Sequence, residues 1–512
     1  MGSVPKLFSA ELEGIDAELV EVEADLHVGL HSFTIVGLAD KAVSEAKERV
    51  SSALKNSGIK PPTRENRKIT INLAPADTKK VGSRFDLPIA IAYLLASEQL
   101  SLFDTRDKMF VGELSLDGSL RSIGGVLNIA IFAKRRNIRF LFVPSANAAE
   151  AAVVMGISII PVTTINELIA HLEGKVLIAP QPLTVIQPEH ATSSVTLSEI
   201  RGQESAKRAL LIAAAGGHNI LMSGPPGTGK TMLAQALPSI LSLPSTEETI
   251  EMTRVYSAAG MMHDTPFIAW RPFRAPHHSA SLVSILGGGQ NPRPGEISLA
   301  HRGVLFFDEL PEFNRDILEG LRQPLEDGRV HIARARKTIS FPARFMLAAA
   351  MNPCPCGYYN NDEKECTCTA HDVFRYQRKL SGPLLDRFDI QIEVQKVPIE
   401  ELRKPREPQN DDAFRVMVAS ARKTQARRFA QSSTPHIHAN AEMSSRDIEQ
   451  FAHFDETAEL FLKQILEKNF LSTRGYYRTL KVARTIADLA ASEEIKKEHL
   501  AEAFQYRIRV EA

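Results

Sequence analysis

This sequence of 512 residues has only four cysteines and one tryptophan, and it carries no net charge. The cysteines all lie between positions 354 and 368, whereas a disulfide framework would distribute them along the chain. This pattern excludes a disulfide-stabilised extracellular scaffold and is typical of a reducing compartment. Lysine plus arginine and aspartate plus glutamate each total 61, so only local clusters of charge can favour nucleic acid.

Long apolar runs are also missing from the sequence. The best of them, residues 87–96, is far shorter than the ~20 residues of a membrane span. The first residues show no basic segment followed by an apolar one, and Lys6 stands where myristoylation needs serine or threonine. We therefore expect a cytoplasmic protein without a membrane partner.

The chain is longer than one core usually holds, so we expect about two to four domains. Residues 1–174 mix predicted strands, such as 32–36, 68–73 and 140–144, with predicted helices at 41–56 and 87–96. Residues 175–196 contain three prolines and predict a linker. Residues 197–397 alternate short apolar strands with helices, which predicts a parallel sheet flanked by helices, and residues 398–512 predict a helical bundle.

A phosphate-binding loop is the most specific motif in the chain. It follows a predicted strand at 219–222 and precedes a predicted helix at 232–241, as such loops require. Its backbone N–H groups would surround a triphosphate at a helix N-terminus, with the lysine on the β/γ phosphates and the last threonine on Mg²⁺. The motif consists of Gly224, Pro225, Pro226, Gly227, Thr228, Gly229, Lys230 and Thr231.

Polar residues end two further buried strands. Asp308 and Glu309 follow the apolar run 304–307, where Asp308 would hold Mg²⁺ and Glu309 would polarise the attacking water. Asn352 follows the run 345–351 and would orient that water near the γ-phosphate. Each signal is weak alone, since a polar residue often simply caps a strand. Together with the phosphate-binding loop, they predict an ATP site.

Cys354, Cys356, Cys366 and Cys368 form two C-x-C pairs that close one short loop. Four thiolates so placed can complete a tetrahedral zinc site of the structural kind, which has no open coordination position. The spacing is tighter than the usual C-x-x-C, and free loop thiols are the alternative.

Longer runs resemble one family. The segments 271–279, 287–289 and 294–301 are similar to the ComM/YifB family of magnesium-chelatase-like proteins, in the helix-2-insert branch of the AAA+ superfamily. The resemblance covers essentially the whole chain. It implies an AAA+ core with a C-terminal helical lid, and a hexameric ATPase that acts on DNA in branch migration of recombination intermediates.

The resemblance also implies roles for particular residues. Arg387, in the segment 384–389, is similar to the arginine finger, which acts on ATP held by a neighbouring subunit, and a surface salt bridge is the alternative for it. Arg474 is similar to the sensor 2 arginine, with Arg478 as a second candidate. Four basic residues resemble DNA contacts, for which a solvated basic edge is the alternative: Arg293 in the helix-2 insert, and Arg334, Arg336 and Lys337 in the presensor-1 hairpin.

The segment 111–125 resembles the proteolytic domain of Lon, which uses a Ser–Lys dyad. The position of that lysine corresponds to Leu127, and Ser83 has no aligned lysine. We therefore expect an α+β domain without peptidase activity, in which Lys79, Lys80 and Arg84 could contact DNA.

Three functions remain open at the level of sequence. A DNA translocase is favoured by the resemblance. A metal-chelatase motor would work with an integrin-like acidic domain, which is not recognised here, and an ATP-dependent protease is opposed by the leucine at position 127.

Overall fold

The computed structural model describes residues 5–64, 67–262, 265–333, 338–361, 364–398, 400–401, 411–432, 437–467 and 472–507. Within these ranges the chain forms two large sheets, three two-stranded sheets and a set of C-terminal helices. Among the described residues, every helix is too short or too polar to cross a membrane.

The N-terminal region, residues 5–174, contains a seven-stranded mixed sheet with strand order β3-β4-β2-β1-β5-β8-β9. The strands of this region are β1 (Lys6–Glu13), β2 (Asp16–Val28), β3 (Ser32–Val36), β4 (Arg67–Ala74), β5 (Lys108–Phe110), β6 (Glu113–Leu114), β7 (Leu120–Arg121), β8 (Phe140–Pro144) and β9 (Ser158–Val162), of which β6 and β7 form a separate two-stranded sheet. Its helices are α1 (Lys41–Ser44), α2 (Ala46–Asn56), α3 (Asp86–Ala96), α4 (Val126–Arg135), α5 (Ala148–Ala151) and α6 (Ile165–Leu172).

Buried and more exposed residues alternate along β4, so that one face of this sheet packs against the hydrophobic core. Ile69, Ile71 and Leu73 of β4 are fully buried and point to one face, as a period of two requires. Helix α3 packs there and is buried on almost every side, which explains its continuous apolar run. The helix predicted at 41–56 is interrupted at Glu45, between α1 and α2.

The central region contains a five-stranded parallel sheet with strand order β11-β14-β17-β10-β18. Its strands, with those of two hairpins, are β10 (Ile220–Ser223), β11 (Phe273–Arg274), β12 (Gly287–Gly288), β13 (Arg293–Pro294), β14 (Val304–Phe307), β15 (Arg329–Ala333), β16 (Thr338–Pro342), β17 (Met346–Met351) and β18 (Ile390–Glu393). Its helices are α7 (Glu204–Gly216), α8 (Lys230–Ile240), α9 (Thr246–Ala259), α10 (Leu282–Leu286), α11 (Glu296–Leu299), α12 (Arg315–Gly320), α13 (Arg322–Asp327), α14 (Ala370–Gln377) and α15 (Gly382–Leu385).

The register of this sheet brings three polar segments to one edge. Ser223 at the end of β10 pairs with Met351 at the end of β17, and Phe307 at the end of β14 pairs with Ala349. The phosphate-binding loop, Asp308 and Asn352 follow these strand ends. They therefore leave the sheet on its carboxyl edge, where parallel α/β sheets form their ligand crevice.

Two antiparallel hairpins project from the central region. One pairs β12 with β13 between α10 and α11, and the other pairs β15 with β16. They occupy the segments expected to form the helix-2 insert and the presensor-1 hairpin. Arg334, Arg336 and Lys337 lie outside the described residues.

The C-terminal helices share a core with the central region, because Val418, Leu480 and Ile486 belong to the same buried cluster as Leu210 and Leu237. They are α16 (Asp411–Phe429), α17 (Ser445–Phe451), α18 (Glu456–Glu467), α19 (Thr473–Leu489) and α20 (Lys497–Gln505).

The N-terminal region is attached to α9 of the central region by polar contacts. Asn128 donates through Nδ2 to the carbonyl of Arg254 at 2.9 Å, and the Arg254 guanidinium donates back to Asn128 Oδ1 at 3.0 Å. The same guanidinium reaches Asp16 Oδ1 at 3.0 Å. These reciprocal bonds fix the N-terminal region on the central region.

Candidate functional site

The phosphate-binding loop joins β10 to α8, which begins at Lys230. Gly224 opens the loop under a neighbouring strand, where an added Cβ would come within 2.2 Å of the Val394 carbonyl oxygen. Only glycine permits this approach without moving the strand. Further along, Thr228 Oγ1 donates to the Pro225 carbonyl at 3.0 Å, which holds the loop in a compact turn ahead of the helix.

Lys230 turns its ammonium group back over the loop. Its Nζ donates to the carbonyl oxygens of Gly224 and Pro225, both at 2.7 Å, and to Asn352 Oδ1 at 3.2 Å. Burial lowers the pKa of Lys230, while the carboxylates of Asp308 and Glu309 act in the opposite direction. The structure thus brings Lys230 and Asn352 together, as the sequence predicted.

Thr231 and Asp308 meet beside this lysine. The Thr231 hydroxyl donates to Asp308 Oδ2 at 2.8 Å, while Asp308 Oδ1 accepts the N–H of Glu309 at 3.0 Å. Glu309 has a left-handed backbone with φ of 52°. Hydroxyl and carboxylate oxygens are the donors that Mg²⁺ prefers, so the pair fits this ion.

Gln203 belongs to the same neighbourhood but was not predicted. Its Nε2 donates to the Thr228 carbonyl at 3.3 Å and to the Gln395 carbonyl at 2.5 Å, so it ties the phosphate-binding loop to the chain beyond β18. A single glutamine ahead of a helix matches no sequence motif, so this contact could be found only in the folded structure.

Arg387 and Arg474 lie together, but away from this site. Both guanidinium groups contact the carboxylate of Glu326 in α13, Arg474 at 2.8 Å. Arg387 is 3% exposed and Arg474 is 58% exposed. Glu326 was not predicted, since one acid on a surface helix carries no distinctive signal.

The sheet separates these arginines from the phosphate-binding loop of the same chain. Arg387 precedes β18, and its carbonyl accepts a 2.9 Å bond from Asn219, the residue before β10. It therefore lies at the amino edge of β10, while the loop follows the carboxyl end. The four residues of β10 span roughly 13 Å at about 3.3 Å each. Arg478, the alternative to Arg474, contacts Asp389 Oδ1 at 2.5 Å on that same amino edge.

The four cysteines converge in space. Their sulfur atoms all lie within 4.8 Å of one another. Sγ of Cys354 is 3.4 Å from that of Cys356 and 3.7 Å from that of Cys366. A tetrahedral zinc site with Zn–S of about 2.3 Å places its sulfurs about 3.8 Å apart, whereas a disulfide needs about 2.05 Å. The cluster could therefore hold a metal ion.

Arg293 is exposed on β13, at the hairpin between α10 and α11. This hairpin and Ile339 of the second hairpin line a cavity of about 1310 Å³, whose other wall is the N-terminal region. On that wall acidic residues, among them Glu11, Glu18 and Glu113, outnumber the basic residues Lys79 and Arg84. The cavity itself is thus poorly suited to a polyanion.

The Lon-like segment has no Ser–Lys dyad among these residues. Leu127 is fully buried and the Ser83 hydroxyl contacts the carboxylate of Glu113. The suggestion that Lys80 and Arg84 could contact DNA is not supported. Lys80 is fully buried on the Pro75 carbonyl, and Arg84 is 15% exposed, 3.9 Å from the buried carboxylate of Glu11.

The parallel sheet with its phosphate-binding loop, acidic strand end and helical lid defines the AAA+ class, so the predicted fold is confirmed. Three family models match the chain: magnesium chelatase subunit ChlI over residues 196–402, subunit ChlI of Mg-chelatase over 22–147, and the subunit ChlI C-terminal model over 409–507.

Two of the known proteins that are similar to this chain match it over nearly the full length, and a third matches a part of it. Competence protein ComM of Haemophilus influenzae is 44% identical, covering 99% of this chain and 98% of the relative. Uncharacterized protein YifB of Escherichia coli is 43% identical over 96% of this chain and 95% of its own length. Lon protease of Rhizobium meliloti is 27% identical over 38% of this chain and 24% of its own length. The chain belongs to the ComM/YifB family of magnesium-chelatase-like AAA+ proteins.

Proposed function

We propose that this protein is a hexameric, ring-forming ATPase that moves on DNA and promotes branch migration of recombination intermediates. The observation that supports the ATPase activity is the convergence of Lys230, Thr231, Asp308 and Asn352 at one edge of the parallel sheet. A relative that bears the name of a competence protein supports a role in natural transformation and recombination. A cytoplasmic location is part of the same proposal.

Each residue of the ATP site has a role in this proposal. The loop N–H groups of residues 224–231 surround the phosphates and Lys230 moves from the loop carbonyls to the β/γ oxygens. Thr231 and Asp308 hold Mg²⁺, which neutralises charge on the phosphates when bound. Glu309 accepts a proton from the attacking water, and Asn352 orients that water.

Arg387 and Arg474 complete the site of a neighbouring subunit. They lie on the sheet edge opposite the phosphate-binding loop of their own chain, so both reach ATP only across an interface. A head-to-tail contact of this kind forms a ring when its rotation closes, as the proposed hexamer requires. Arg474 is already exposed, whereas Arg387 leaves Glu326 to reach the neighbour's phosphates.

Glu309→Gln should leave ATP bound but slow its hydrolysis by about 100-fold or more, because an amide cannot take the proton of the attacking water. Nucleotide retention and steady-state phosphate release measure the two effects. Glu312→Gln is the matched control, since Glu312 lies in the same segment, is 44% exposed and pairs with Lys379. Unchanged turnover in Glu309→Gln would remove this residue from the mechanism.

Four-way junction DNA should bind the protein and stimulate its ATP turnover. Arg293→Ala should weaken the binding of this DNA. For every phosphate that the variant no longer neutralises, the slope of log K against log salt should become shallower by about 0.9. Titrations at several salt concentrations measure it, with Arg106→Ala as control because Arg106 is 86% exposed and paired with Asp104. Turnover that does not respond to branched DNA contradicts the DNA assignment.

A metal-chelatase motor is the second candidate, because the matching family models carry the name of magnesium chelatase subunit ChlI. The same ATP site serves either function, so stimulation by branched DNA distinguishes them. An ATP-dependent protease is less well supported, since Leu127 stands at the dyad lysine position and its N–H donates to Glu150 at 3.1 Å.

The four-cysteine cluster is assigned to a structural Zn²⁺. The Sγ separations of 3.4–3.7 Å support this, as does the N–H of Cys356, which lies 3.4 Å from Sγ of Cys368 and offsets thiolate charge. Metal analysis of purified protein tests the assignment. The division of the chain into domains at residues 174, 196 and 397 is part of the same proposal.

A further inference from the structure

The cysteine loop lies directly on the phosphate-binding loop. Gly357, the residue after Cys356, has a left-handed backbone with φ of 84°. An added Cβ at Gly357 would come within 2.5 Å of Cδ and 3.2 Å of Cγ of Pro226. The contact has no room for even a methyl group, so the position of the cysteine loop and the conformation of Pro226 depend on each other.

A second path runs through the backbone. The last residue of β17, Met351, accepts a 3.3 Å bond from the N–H of Gly224, and the next residue, Asn352, accepts from Lys230. Cys354 follows two residues later. The cysteine loop therefore continues a strand that is already bonded to both ends of the phosphate-binding loop.

The cysteine loop has very little core of its own. Among its described residues from 353 to 369, only Cys354 and Gly357 are buried. On its far side, Gln377 of α14 donates to the Pro353 carbonyl at 3.2 Å. A segment that buries so little apolar surface cannot offset the entropy of ordering, so its shape depends on a cross-link between the four sulfurs.

We propose that the metal held by the four cysteines sets the conformation of the phosphate-binding loop, so that ATP affinity depends on the metal. The inference rests on the zinc assignment and adds to it a control over nucleotide binding. With the metal in place, Gly357 supports Pro226 from outside the loop. Without it, four thiols that lie within 4.8 Å of one another separate, Gly357 withdraws and the phosphate-binding loop loses its support. By thermodynamic linkage, bound ATP retains the metal to the same degree.

The test compares the full-length protein with and without zinc. Zinc is measured by mass spectrometry and the Kd of a fluorescent ATP analogue by titration, with circular dichroism to establish that the helices remain. Removing zinc with a chelator should weaken binding about tenfold, within the range of about 5–150-fold for coupled sites, and adding zinc back should restore it. A saturating non-hydrolysable nucleotide should raise the chelator concentration needed to remove half of the zinc, because it raises the equilibrium affinity for zinc by the same factor.

Gly357→Ala separates the contact from the metal. It should keep one zinc per chain and still bind ATP about tenfold more weakly, because the methyl group displaces Pro226. Gly174→Ala is the matched control, since Gly174 has φ of 71° and nothing within 4 Å of an added Cβ.

The outcomes are distinct. Zinc-free, folded protein that binds ATP as tightly as zinc-loaded protein overturns the inference and leaves the ATPase proposal intact. Protein that neither contains nor takes up zinc overturns both the zinc assignment and the inference. Failure of the zinc-loaded protein to bind ATP at all counts against the proposed ATPase instead.

Discussion

Lys230→Ala should reduce ATP turnover by about 100- to 1,000-fold, the scale on which a single preorganised donor to a transition state acts. The ammonium group of Lys230 lies over the phosphate-binding loop, 2.7 Å from two of the loop's carbonyl oxygens. Alanine removes this positive charge from the β/γ phosphates and leaves them only Mg²⁺ and the arginines of the neighbouring subunit.

Phosphate release with and without branched DNA measures this effect. Lys6→Ala is the control, because Lys6 is 53% exposed and its pair with Glu21 is a surface ion pair of the N-terminal region. If Lys230→Ala hydrolyses ATP at the rate of the unaltered protein, the ATP site lies elsewhere and the DNA motor is no longer supported.

Arg387→Ala should lower turnover by about 1,000-fold or more while ATP still binds, since an arginine finger acts on the transition state and not on ground-state binding. Arg474→Ala should also lower turnover, because the proposal places Arg474 at the same neighbouring ATP. Both variants should fold. Glu326 is 44% exposed, so water can solvate its carboxylate, and each substitution leaves it the other arginine as a partner.

Mixing two inactive variants tests whether the arginines act across an interface. In a ring assembled from equal amounts of Lys230→Ala and Arg387→Ala chains, roughly a quarter of head-to-tail interfaces join an intact lysine to an intact arginine. Turnover should therefore reappear on mixing, up to about that fraction of the original rate. A mixture as inactive as its components would show that both groups serve one chain's own ATP. Thermal melting of each variant alone separates this result from misfolding.

Much of the ATP site was predictable because its parts are local in sequence. The phosphate-binding loop, the acids after β14 and the asparagine after β17 each follow a strand, and a parallel sheet brings strand ends together without further information. The bounds shifted by one or two residues, as for α8, which begins at Lys230 and not at Met232. The helix expected over residues 41–56 was wrong only in its continuity.

The remaining contacts depend on packing between distant segments. Glu326 in α13 contacts Arg387, ahead of β18, and Arg474, at the start of α19. These three segments are distant in the sequence, and no periodicity in it specifies that they meet. Lys80 and Arg84 belonged to a basic cluster that suggested DNA, yet the fold buries one completely and most of the other, because their neighbours in space are a carbonyl and Glu11. Charge in a sequence does not reveal which charges reach the surface.

Arg387 and Arg474 share a single carboxylate, that of Glu326. Two guanidinium groups face one carboxylate, whereas the adjacent Arg478 has a carboxylate of its own in Asp389. Arg387 and Arg474 therefore have one carboxylate between them. In the proposed ring, the phosphates of the neighbouring subunit's ATP would supply the second negative charge.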